Sequence, residues 1–163
     1  HLSLRRQRQM CIRDRSNIRE FIKSKIFKFA REVMSSKDEV VITQSWINKS
    51  GKGESHHEHV HPNSMISGVW YPVINEQLPP IQFRSRQQRD IQLSNDKYNN
   101  FNSATFLLPM KMGELIIFPS NLTHSVPANQ SETERISLSF NTWVKGSLGD
   151  INSLTYLPLD RCV

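Results

Sequence analysis

HVHPNSMISGVWYPVI, residues 59 to 74, joins a histidine pair to a run of β-branched and aromatic residues. Bounded upstream by the turn residues Pro62 to Ser64, the run reads as a strand over 65–74. Gly68, inside that strand, marks a place of close backbone approach. The residues before it, 54–61, read as a second strand. There His57, His59 and His61 share one face, and His56, Glu58 and Val60 share the other. Histidines two apart stand about 6.6 Å along a strand and can both reach one ion through bonds near 2.1 Å, whereas two that are four apart must converge over roughly 13 Å. His59 belongs to either workable pair. We take it with His61, because Pro62 holds residue 61 extended and because His61 abuts the 65–74 strand. Glu58 could take the second place only if the strand bulged.

Outward from this stretch the same signal repeats. Strands are expected near 40–48, 54–61, 65–74, 81–85, 103–109, 114–118, 122–126 and 135–144, with turns at Gly51-Lys52-Gly53, Pro79-Pro80, Lys111-Met112-Gly113 and Ala128 to Ser131. Upstream, the period changes to 3.6. Asn17 and Glu20 form a capping-box pair, and Ile18, Ile22, Ile26, Phe29 and Val33 make an apolar stripe widened by Phe21 and Ala30. One amphipathic helix followed by about eight short strands points to a mainly β fold, a cupin-like double-sheet jelly roll. The polar stretch Arg86 to Asn100 is long for a plain connection and reads as a lid or disordered segment.

Residues 1–15, HLSLRRQRQMCIRDR, carry five arginines and one aspartate with no apolar periodicity. Met10-Cys11-Ile12-Arg13-Asp14 is what the transposase adaptor ATG TGT ATA AGA GAC encodes, so 1–15 reads as a non-native, adaptor-derived segment and 16–163 as one domain with its core at about 40–144. A basic arm for nucleic acid is the alternative. Without the segment, the 21 basic and 15 acidic residues fall to sixteen and fourteen, so the basicity of a nucleic-acid binder largely disappears. Cys162 is then the sole cysteine, which excludes an internal disulfide. The sequence holds no membrane-spanning run, and a cytoplasmic location is expected although the true N-terminus need not be present.

His124 supplies a third candidate ligand. It follows Gly113-Glu114-Leu115-Ile116-Ile117-Phe118-Pro119, a turn and apolar strand that bring it to a strand start at the jelly-roll mouth. Three imidazoles on one side of an ion leave the opposite positions open, as catalytic sites require. The bland alternative is a histidine satisfied within a β-turn. Eleven residues on, Arg135 could grip a carboxylate through its planar fork. Ser137 on the same face could add a hydroxyl, and Tyr71 from a neighbouring strand could reach the same group. Otherwise Arg135 would form a surface ion pair with Glu134 or Glu132.

The strings HVHPNSMISGVWYPV, MGELIIFPSNLTHSV and ERISLSFN, spread over Ser45 to Val144, resemble the 2-oxoglutarate- and Fe(II)-dependent oxygenases of bacteria and their phages. That resemblance implies a double-stranded β-helix with prolyl-hydroxylase-like chemistry. It implies iron on His59, His61 and His124, and 2-oxoglutarate on Arg135 with Ser137 and Tyr71 as helpers. The implied activity is a dioxygenase that hydroxylates an unidentified substrate while decarboxylating 2-oxoglutarate to succinate. The usual set in that superfamily is two histidines and a carboxylate, and here His61 stands in the acid's place. The rivals are a cupin-like three-histidine metalloenzyme that does not use 2-oxoglutarate and a non-catalytic jelly-roll binding module. The primary substrate, whether a protein side chain, amino acid, nucleobase or sugar, is not written in the chain.

Overall fold

Two antiparallel sheets face each other, and the candidate site lies between them. The computed structural model describes residues 8–9, 16–73, 77–85, 94–99 and 102–159, so most of the 1–15 segment and most of the 86–100 stretch lie outside the described residues. In chain order the elements are β1 (Arg8–Gln9), α1 (Ser16–Lys28) with a π-helical turn (Phe29–Val33), β2 (Glu39–Ser50), β3 (His56–His59) and β4 (Ile66–Val73). There follow β5 (Ile81–Arg84), β6 (Thr105–Leu108), β7 (Leu115–Pro119), β8 (His124–Val126), β9 (Arg135–Lys145), β10 (Ser147–Leu148) and β11 (Leu157–Pro158). The larger sheet runs β1-β2-β9-β4-β7 and the smaller β3-β8-β5-β6, while β10 and β11 pair on their own. All eight expected strands are present. The two-residue pairs β1 and β10–β11 were too short for periodicity to signal.

The larger sheet separates two apolar clusters. On one face, Ile22 and Ile26 of α1 pack against Leu138 and Phe140 of β9, flanked by Ile18, Val40, Ile42, Ile47, Trp70, Leu115 and Ile117. On the other, Val69, Tyr71, Ile81, Phe83 and Phe118 fill the space between the sheets. Gly68 serves the first cluster. A Cβ there would stand 2.3 Å from Phe140 Cζ and 2.9 Å from the Ile116 carbonyl, so only glycine lets that ring lie flat against β4.

The helix departs from its expected stripe at its end. Ala30 is buried, but Val33 is 67 % exposed and Phe21 lies at the edge of the interface. The backbone widens after Lys28, with Met34 N–H bonding to the Phe29 carbonyl five residues back. That turn rotates Val33 out of phase with Ile22 and Ile26. The helix also begins at Ser16, one residue before the expected cap.

Candidate metal centre

β3 carries one residue more than β8 between two paired positions, since His56 faces Val126 and His59 faces His124. This bulge resets the alternation. His56, expected on the face away from His59, instead stacks on it at 4.2 Å between ring centroids and lines the same cleft. His57, expected on the ligand face, is exposed. Glu58 turns outward into an ion pair with Arg84 at 2.6 Å. A bulge therefore exists, yet it does not bring the carboxylate inward.

His59, His61 and His124 come together, with one ring nitrogen of each within 4.8 Å of the others. Nε2 of His59 and Nε2 of His61 are 3.3 Å apart. Each ring is anchored through Nδ1: His59 to the His57 carbonyl at 2.8 Å, His124 to the Leu122 carbonyl at 2.9 Å, and His61 to Ser67 Oγ at 2.7 Å. A carbonyl can only accept, so His59 and His124 carry their proton on Nδ1 and turn an Nε2 lone pair toward the cluster. If His61 also carries its proton on Nδ1, the facing lone pairs repel unless a cation lies between them; otherwise His61 Nε2–H donates to His59 Nε2. Two nitrogens bound to one ion at roughly 2.1 Å stand about 3.0 to 3.4 Å apart, so His59 and His61 stand at ligand spacing for a divalent transition metal, and the set as a whole, spanning up to 4.8 Å, would draw in slightly around one.

Electrostatics favours the same role. Burial, reinforced by the proximity of His124 and His59 and opposed by a hydrogen bond with Asn141, lowers His61 from 6.5 to about 4. Burial lowers His124 to about 4 as well, with the Leu122 carbonyl acting against it. Both rings are neutral at pH 7 and need lose no proton to bind a metal.

Arg135, Ser137 and Tyr71 line the same cleft and are all buried. The Arg135 guanidinium donates to Tyr71 Oη at 3.1 Å, to Ser137 Oγ at 3.4 Å and to the Pro79 carbonyl at 3.3 Å. The surface ion pairs weighed for it go elsewhere, because Glu134 pairs with Lys49 and Glu132 with Lys52. Among the described residues no carboxylate comes within ion-pair distance of Arg135, which is only 4 % exposed. Burial lowers its pKa, opposed by Tyr71. Burial also pushes the Tyr71 phenol up to about 12, against the pull of Arg135, so Tyr71 keeps its proton. The cleft is narrow, with about 30 Å³ of free volume, and has imidazoles at one part of its wall and the guanidinium at another.

Among the wall residues that sequence reasoning missed are Trp46, Asn48, His56 and Ser139. Ser139 was within reach, because Arg135, Ser137, Ser139 and Asn141 are polar at every second position of a strand otherwise apolar. Trp46 meets the His61 ring edge-on at 5.7 Å, and its buried indole N–H has no hydrogen-bond partner among the described residues.

Solved structures share this architecture at low sequence identity. An oxidoreductase of the 2OG-Fe(II) oxygenase family from Burkholderia pseudomallei is 15% identical with TM-score 0.55, over 71% of this chain and 50% of that one. HygX from Streptomyces hygroscopicus, solved with nickel and 2-oxoglutarate bound, is 8% identical with TM-score 0.59, over 87% and 70%. A Pseudomonas putida prolyl-4-hydroxylase is 12% identical with TM-score 0.53, over 79% and 65%. The chain thus spans half the length of the Burkholderia protein and about two thirds of the other two. At these identities the likeness establishes the double-stranded β-helix fold. No curated protein matches the sequence. A family model described as "Putative 2OG-Fe(II) oxygenase" matches residues 44–141, from within β2 to within β9, and the chain belongs to that family.

Proposed function

We propose that the protein is a 2-oxoglutarate-dependent dioxygenase that holds Fe(II) on His59, His61 and His124 and the distal carboxylate of 2-oxoglutarate on Arg135. The observation that carries this reading is the buried Arg135 without an anionic partner among the described residues, lining the same cleft as three converging imidazoles. An uncompensated buried charge is costly, and a bound carboxylate relieves it. Bound iron would supply the oxygen chemistry, in which decarboxylation of 2-oxoglutarate to succinate accompanies hydroxylation of a second substrate.

The chain's own residues do the holding and orienting. Three neutral imidazoles add no charge, so a bound divalent ion keeps both of its positive charges for an anionic ligand. Tyr71 accepts from Arg135 and retains its own proton, so its hydroxyl is a donor for a carboxylate oxygen. Ser137, touching the same guanidinium, offers another. Phe118 and Phe83 pack beside His124 and keep water from that flank. HygX and the other neighbours support the cosubstrate by analogy of fold. The three-histidine donor set equally suits a metalloenzyme that does not use 2-oxoglutarate, and Arg135 is what favours the first reading.

The test is anaerobic titration of the Fe(II)-loaded protein with 2-oxoglutarate. A visible metal-to-ligand charge-transfer band that saturates at one equivalent is expected. Stoichiometric iron with no such band would place the three-histidine metalloenzyme that does not use 2-oxoglutarate first.

A further inference from the structure

Behind His61 lies a chain of side chains outside the lining of the cleft. Ser67 is fully buried and Asn141 is 7 % exposed. The Ser67 hydroxyl stands 2.7 Å from His61 Nδ1 and 2.8 Å from Asn141 Oδ1, and Asn141 Nδ2 lies 3.3 Å from Gln44 Oε1. A hydroxyl has one proton to give. In the orientation the structure shows, the Asn141 amide nitrogen donates to Gln44 Oε1 and the amide oxygen faces Ser67. Ser67 then donates to Asn141, and its oxygen accepts from His61 Nδ1–H.

The other two imidazoles are anchored by backbone carbonyls, which cannot reverse. The His61 anchor can. With the Asn141 amide turned over, its nitrogen would donate to Ser67, Ser67 would donate to His61 Nδ1, and the His61 proton would sit on Nε2, where it blocks a ligand bond. We propose that Ser67 and Asn141, oriented by Gln44, are positioning residues that hold His61 in the tautomer whose Nε2 lone pair faces the metal. The inference rests on the metal reading above for its purpose but not for its geometry.

Long-range proton–nitrogen NMR on the 15N-labelled, metal-free protein reads the tautomer directly, and Co(II) titration reads the affinity. Wild type should show His61 as a single Nδ1–H tautomer. Ser67→Ala should show both tautomers and bind Co(II) roughly ten- to hundred-fold more weakly, the usual cost of losing the partner behind a histidine ligand. Asn141→Leu should behave like Ser67→Ala, whereas Asn141→Asp, which keeps the acceptor oxygen, should hold the wild-type tautomer. A structural role alone would not separate those two replacements at one position. An Nε2–H tautomer in wild type, or an unchanged tautomer and affinity in Ser67→Ala, overturns the proposal. A wild type that binds no Co(II) defeats the metal reading, and the metal-free spectrum still decides the relay.

Discussion

Leu138 and Phe140 leave β9 toward the helix, while Arg135, Ser137 and Ser139, one step out of phase on the same strand, enter the cleft. The first set meets Ile22 and Ile26 in an apolar contact where shape and area do the stabilising. The second set buries polar groups that gain nothing from burial as such and must be satisfied one by one. Ser139 is satisfied by the Asn48 amide at 2.9 Å, and Arg135 by neutral partners only. One face of the strand therefore holds the molecule together. The other, on the function proposed above, is arranged for metal and cosubstrate.

The comparison is broken most completely at the imidazole cluster. His59→Ala or His124→Ala should abolish stoichiometric Fe(II) binding and leave the fold intact, because a three-ligand site missing one imidazole loses both affinity and geometry. Metal analysis after desalting checks this, and full iron occupancy in either variant defeats the ligand assignment. The opposite damage is expected on the helix face. Phe140→Ala should cost about 3 to 5 kcal/mol of stability, since the ring is fully buried and fills the space above Gly68, with the loss read by denaturant unfolding. A near-neutral result would mean that the face is less tightly packed than its burial implies.

Arg135 tests the cleft face without touching the metal ligands. Arg135→Ala should weaken 2-oxoglutarate binding by roughly thirty-fold to several thousand-fold, and Arg135→Lys by less, with iron content unchanged. Lysine keeps the charge but loses the fork that matches a carboxylate. Charge-transfer titration at equal iron loading measures both, and unchanged affinity in Arg135→Ala removes the cosubstrate assignment.

A smaller effect should follow pH. His61 and His124 sit at about 4 in the folded protein, below the ordinary 6.5. As pH falls below 6.5 the unfolded chain takes up protons before the folded one, so this contribution is complete above about 6.5 and is lost toward pH 4. The melting temperature of the metal-free protein should accordingly fall between pH 7 and pH 5, and a flat profile would argue against the buried neutral pair. Least of all is expected from deleting residues 1–15. The two-residue strand β1 pairs with Trp46 and Ile47 of β2, and a shift of melting temperature within about 2 °C, with unchanged cosubstrate binding, is anticipated.

The strands were legible because each carries its own turns and its own alternation, and the six candidate residues that line one cleft stood out by type and spacing. What could not be read were the places where phase is lost. Nothing local to Phe29 announces the π-turn that swings Val33 into solvent, and nothing local to His57 announces that β3 gains a residue on β8. Both are settled by contacts distant in sequence. The Ser67 to Asn141 link spans 74 positions and was equally beyond a local reading.

The bulge in β3 also has a consequence for how this chain can vary. Sidedness in a strand is a two-letter frame, and the extra residue between His56 and His59 is a frameshift already installed. Single-residue insertions or deletions from 56 to 61 would therefore not be read as changes of loop length. Each would exchange the set of groups facing the cleft for the set facing outward, sending Glu58 where an imidazole now stands. Length in this hexapeptide therefore bears on the cleft as directly as the identity of its histidines.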